Sequence, residues 1–148
     1  MFYWVIIVML APCVAYDWLT SLVGAIAFFG LQSGAPIYMW GIPVAISIGA
    51  IGMNFMTTEI FGQEGAPEWI KGFWFMCIVF DAYTTFLGLG HVKMGGGIFS
   101  IPTTNVIELF KKVGPEGLIV LAIATSVFVA SPMACFWLWK KTQVPKAA

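Results

Sequence analysis

The chain has 148 residues, 60% of them hydrophobic and 9% charged, with a mean hydropathy of +0.92, whereas a soluble domain is about 45–50% apolar and about 25% charged. So little polar surface cannot cover a globule in water, which excludes a soluble enzyme domain and points to an all-α chain embedded in lipid. Formal charge is zero and every cation is lysine, so the dense basic surface that nucleic acid requires is excluded as well.

Crossing a hydrocarbon core of about 30 Å takes roughly 20 apolar residues in a helix, and four such runs follow one another. The first, residues 2–30, lacks the positive start and the small-x-small cleavage site of a signal peptide, so it is read as a span, long enough to tilt or to bend at Pro12. Gln32-Ser33-Gly34-Ala35-Pro36 is a tight turn into the second run, residues 37–58. A short polar loop, residues 62–68, separates it from the third run, residues 70–90.

The one sizeable loop, residues 91–117, contains Thr103-Thr104-Asn105, a capping sequence for a short helix over 106–113 (about 105–113 with its cap). In that helix Val106, Leu109, Phe110 and Val113 share a face opposite Glu108, Lys111 and Lys112, so it is expected to lie flat at the membrane surface. Gly95-Gly96-Gly97 lacks the context of a phosphate loop and reads as a flexible hinge. The fourth run is residues 118–139. Six of the tryptophans, Trp4, Trp40, Trp69, Trp74, Trp137 and Trp139, fall near run ends, where an amphipathic ring favours the interface; Trp18 does not.

The expectation is therefore a polytopic transmembrane helix bundle of about four spans, a single integral membrane domain over residues 1–148. Four spans place both termini and the 59–71 loop on one side. Lysines there number four (Lys71, Lys140, Lys141, Lys146) against three opposite (Lys93, Lys111, Lys112). The pair directly after the last span tips the C-terminus towards the cytoplasm.

Laying the first run on the third with an offset of 64 aligns Cys13, Asp17, Thr20, Ser21 and Gly24 with Cys77, Asp81, Thr84, Thr85 and Gly88. The shared pattern is C-x-x-x-D-x-x-T-[ST]-x-x-G, an internal repeat that marks two related helical hairpins. Its spacings set the residues along one stripe of each helix, so each stripe is expected to face protein rather than lipid. The second and fourth runs add weaker support, Val44-Ala45-Ile46-Ser47 against Leu121-Ala122-Ile123-Ala124.

Asp17 and Asp81 fall near the middle of their runs, where a charge costs at least about 2.5–3.5 kcal/mol to insert. The leading reading is assembly: Thr20-x-x-x-Gly24 and Thr84-x-x-x-Gly88 let helix backbones approach while a protonated Asp and the Thr hydroxyls hydrogen-bond across the contact. The chain is then a non-catalytic subunit of a larger membrane complex or a homo-oligomer, with the lipid bilayer and other membrane subunits as its partners. A second reading makes Asp17 and Asp81 a proton or cation path, with the hydroxyls of Thr20, Ser21, Thr84 and Thr85 as acceptors and Asn54 and Ser47 as extensions, because two facing carboxylates do not both ionise easily in oil. A third brings Cys13, Cys77, Asp17 and Asp81 together as a tetrahedral metal set.

His91 is the lone histidine and sits at a run end, so it is read as interfacial. No Ser-His-Asp arrangement can be built from it, and no enzymatic activity is expected. The residues assign no cofactor; lipid, quinone or pigment partners stay open.

Overall fold

The computed structural model describes residues 2–32, 34–62, 66–97 and 106–143. These form α1 (Phe2–Phe28), α2 (Ile37–Phe55), α3 (Thr57–Gly62), α4 (Glu68–Lys93) and α5 (Val106–Gln143). The described residues contain no strand. Among the described residues, four segments are long and apolar enough to cross a membrane: Tyr3–Phe28, Ile37–Gly62 (α2 continued by α3), Glu68–Lys93 and Val106–Gln143. At 1.5 Å per residue, a helix of 26 residues reaches about 40 Å, so α1 and α4 are long enough to span a bilayer with length to spare.

Sequence chemistry sets the ends. After α1, Gly30 takes a positive φ of 62°; its N–H donates to Ala27 O, and the N–H of Leu31 donates to Ile26 O. This is the Schellman arrangement, which satisfies the last carbonyls of a helix where Gly alone turns without penalty. The end of α4 repeats it one residue out of register with the repeat: Gly95 has φ 88°, and Gly95 and Gly96 donate to Val92 O and His91 O. The glycine run expected to be a hinge is thus, in its first two residues, a helix cap. A Cβ on Gly96 would lie 2.2 Å from the His91 ring, so the cap closes over His91, which is buried rather than open at the interface.

α5 is two helices joined at Gly114, whose φ of 72° and ψ of 168° interrupt it. That region belongs almost exclusively to glycine, and Pro115 then opens the span with a φ already suited to a first helical turn. Gly114→Ala is expected to lower unfolding stability in detergent by about 1–3 kcal/mol. Gly41→Ala, at an open helical position, serves as the control in the same denaturant titration and is expected to leave stability unchanged or slightly raised.

The helix before Gly114 is anchored more deeply than its amphipathic pattern implies. Leu109 is fully buried, seated where a Cβ on Gly90 would lie 2.3 Å from it, and it packs with Leu87, Leu89 and Leu121. Lys111 and Lys112 stay exposed. The capping residues 103–105 lie outside the described residues.

Burial runs inside out relative to a water-soluble protein. The large side chains with no exposure include Asp17, Asp81, Asn54, Thr20, Thr84 and Thr85, while Val8, Ile37, Met76 and Ile123 are more than 60% exposed. Such a surface is stable only against an apolar solvent. At one end of the bundle Lys140 pairs with Glu59, which sets the ends of the second and fourth spans on the same side.

The centre of the bundle is the contact between α1 and α4, the most extensive between any two helices, with α5 and α2 each touching both. In α5 a hydroxyl repairs the ladder at one proline: Pro132 frees the carbonyl of Phe128, and Ser131 Oγ donates to it at 2.7 Å.

Candidate functional site

The two halves of the repeat meet face to face. A Cβ built on Gly24 would stand 1.7 Å from the carbonyl oxygen of Thr84, and one on Gly88 would stand 2.0 Å from that of Thr20. Each helix therefore presses its glycine onto the other's threonine backbone. Because residues 20 and 24 correspond to 84 and 88, the contact is its own image under a pseudo-twofold axis passing between them.

The threonines make this approach possible by turning their hydroxyls inward along their own helices. Thr20 Oγ1 donates to Tyr16 O at 2.9 Å with a longer contact to Asp17 O at 3.1 Å. Thr84 Oγ1 does the same with Phe80 O at 2.9 Å and Asp81 O at 3.1 Å. Such back-bonding satisfies a hydroxyl without a partner helix and leaves a smooth seam.

Across the seam, Ser21 Oγ lies 2.9 Å from Thr84 Oγ1. Thr85 Oγ1 donates to Asp17 Oδ1 at 3.1 Å. Ser21, the counterpart of Thr85, likewise faces the opposite aspartate, Asp81. The symmetry breaks at α2, where Asn54 Nδ2 adds a further donor to Asp81, 2.6 Å from Oδ2.

The outer helices explain why only one aspartate receives an amide. The buried positions of α2, Pro43, Ser47, Ile51 and Asn54, match Leu121, Thr125, Val129 and Pro132 of α5. Their offset is 78, one residue beyond the pairing of Val44 with Leu121 read from sequence. In this register Ser47 corresponds to Thr125, both buried with hydroxyls that have no partner. Asn54 corresponds to Pro132, which has no side-chain donor to offer Asp17.

Asp17, Thr20, Ser21, Gly24, Asp81, Thr84, Thr85 and Gly88 are thus gathered into one seam, all buried. Asp17 Oδ2, Asp81 Oδ1 and Asn54 Oδ1 accept no hydrogen bond. Neither aspartate has a basic partner among the described residues; the ion pairs Lys71–Glu68 and Lys140–Glu59 lie at span ends.

The cysteines do not join the seam. No group of three or more His, Cys, Asp or Glu side chains among the described residues could hold a metal ion, so the four-ligand set of Cys13, Cys77, Asp17 and Asp81 is not formed. The reason is axial: a residue four before the aspartate lies about 6 Å further along the helix, on the side away from the closest approach at Gly24 and Gly88. Cys77 lines a groove between α2 and α4, and Cys13 is half-buried.

Sequence reasoning reached Asn54 and Ser47 as extensions of the stripe but missed Thr125, whose only signal was the burial register of α5. No protein-family model, curated protein or solved structure matches the chain.

Proposed function

We propose that the chain is a small integral membrane bundle acting as a non-catalytic structural or assembly subunit of a larger membrane complex. In this role the Asp/Thr stripes join α1 to α4, and the apolar outer face meets lipid and neighbouring subunits. The observation that carries this reading is the reciprocal glycine contact. Both stripes are consumed inside the bundle, leaving a surface of large apolar side chains and open small positions, Gly41, Ala45, Gly49 and Gly52, along α2. Small residues on an exposed helix face are how membrane helices approach one another closely.

A second reading, in which Asp17 and Asp81 belong to a proton- or cation-translocating component, is favoured by the unpartnered oxygens on both carboxylates and on Asn54. Intramembrane ionisable groups commonly mark such paths.

One experiment separates the two. The full chain is extracted mildly from its membrane, its co-purifying proteins are identified, and ion flux is measured after reconstitution into liposomes, for wild type and for Asp17→Asn with Asp81→Asn. The subunit reading expects a defined partner set with the wild type and no flux above protein-free liposomes. Wild-type flux that the double variant abolishes, or a chain that purifies alone, overturns it.

A further inference from the structure

We propose that the α1–α2–α4 junction is a binding site for one hard monovalent cation of the Na⁺ type, held by Asp17, Asp81 and Asn54. The proposal shares the buried seam with the reading above but not the subunit role, and it requires no transport.

Three observations converge on it. First, the junction has a surplus of acceptors: Asp17 Oδ2, Asp81 Oδ1 and Asn54 Oδ1 are all buried and all without a donor. Second, Asn54 is not an acidic residue added to a cluster but an uncharged side chain, wholly buried, whose amide already grips Asp81 at 2.6 Å. Its own oxygen is thereby kept on the side chain beside Asp81 and has no donor. Third, the two carboxylates have no basic neighbour among the described residues, and an ionised carboxylate in a medium of such low polarity is far too costly to stand alone. A positive species is missing from both the hydrogen-bond inventory and the charge balance.

The donor set decides which species. Carboxylate and amide carbonyl oxygens suit a hard cation. Mg²⁺ keeps several waters and demands near-octahedral geometry, and Ca²⁺ takes 6–8 oxygens. With Asp17 Oδ1 and Asp81 Oδ2 already accepting hydrogen bonds, the oxygens left open on the three side chains are too few to meet either demand. A monovalent cation shared by the carboxylates and the amide oxygen, with one proton retained on the pair, leaves the junction neutral. Protons alone are the competing solution. A protonated Asp81 could donate to Asn54 Oδ1, but no acceptor is then evident for a proton on Asp17 Oδ2.

The helix carrying Asn54 is interrupted immediately afterwards, α2 ending at Phe55 and α3 beginning at Thr57. Thr57 Oγ1 donates to Asn54 O at 2.7 Å and accepts from Trp74 Nε1 at 2.8 Å. These bonds tie the backbone of Asn54 to α4, and the bond from Nδ2 to Asp81 holds the side-chain amide.

The test is protection of the two aspartates from a hydrophobic carbodiimide, which reacts with protonated carboxyl groups in apolar surroundings. The full chain in detergent micelles is labelled at one fixed pH in NaCl, KCl, CaCl₂ or choline chloride of equal ionic strength, and the modified peptides are measured by mass spectrometry. Na⁺ is expected to slow labelling of Asp17 and Asp81 saturably, about tenfold at ten times its dissociation constant, and to raise the unfolding temperature in parallel. Asn54→Ala is expected to lose the Na⁺ effect. Should that variant fail to fold, the wild-type comparison of Na⁺ with choline still decides. Labelling that is identical in all four salts means the pair holds protons only and overturns the proposal, as does protection by Ca²⁺ without protection by Na⁺. Partner retention is scored separately, so loss of either reading leaves the other measurable.

Discussion

Gly24→Ala is expected to destabilise the bundle by about 3 kcal/mol, at the upper end for overpacking, and Gly88→Ala by a similar amount. The added methyl at either position meets a backbone carbonyl, 1.7 Å away at Gly24 and 2.0 Å at Gly88. A backbone atom cannot swing aside as a side chain can. The helices must separate, which stretches the Ser21–Thr84 and Thr85–Asp17 hydrogen bonds. Once one methyl has forced the helices apart the second meets less resistance, so the double variant is expected to cost clearly less than the sum of the single ones. Gly49→Ala, with nothing within 4 Å, supplies the comparison. Denaturant titration in a single detergent measures all four; an additive double variant, or a Gly49 variant as damaging as the others, contradicts the interlocked contact.

Asn54→Leu is expected to cost about 1–3 kcal/mol, the usual penalty for leaving a buried polar group without its partner. Asp81→Leu is expected to do the same by stranding the Asn54 amide. With both residues changed to leucine no polar group is left unpaired, so much of the loss should be recovered. The cycle is expected to show a coupling of about 1–2 kcal/mol, near the top of the range for intramembrane pairs. The same cycle between Asp17 and Pro132→Ala is expected to show none, because the pseudo-symmetry places no side-chain donor there. Equal coupling on the two sides contradicts the broken symmetry of the seam.

How much of this was legible depended on what kind of signal each feature leaves. The spans could be read because about 20 unbroken apolar residues seldom occur outside a helix that crosses a membrane. The seam could be read because polar residues are rare enough in oil for Asp17, Thr20 and Gly24 to stand out against Asp81, Thr84 and Gly88. The register of α2 against α5 could not. In a lipid-facing helix the outer face is as apolar as the inner one, so the amphipathic pattern that orients a helix in water is absent. Ser47 matched to Ala124 looks as reasonable in sequence as Ser47 matched to Thr125, and only burial separates them. Leu109 illustrates the same blindness: an apolar face on a surface helix reads identically whether it rests on lipid or plugs a notch at Gly90. The glycine run misled for another reason. Gly95 and Gly96 look permissive in isolation, but hydrogen bonds to Val92 O and His91 O turn that freedom into a cap.

The cysteines show where spacing alone overreaches. Cys13 and Cys77 share the repeat with the aspartates, yet a shared repeat fixes equivalence between helices, not convergence on a point. The residues that converge are those three, four and seven positions beyond each aspartate, where the helix turns its face back to the same partner.

The face-to-face meeting of α1 and α4 is most directly tested by cross-linking Ser21→Cys to Thr84→Cys in a chain whose three native cysteines are replaced by alanine. The hydroxyl oxygens of the parent residues are 2.9 Å apart, within reach of a disulfide. Mild oxidation followed by peptide mass spectrometry is expected to find the bond within a single chain in most molecules, and no bond when Gly49→Cys replaces Thr84→Cys. Thiols that stay free, or that link only between chains, would mean that the two stripes do not face one another inside the bundle.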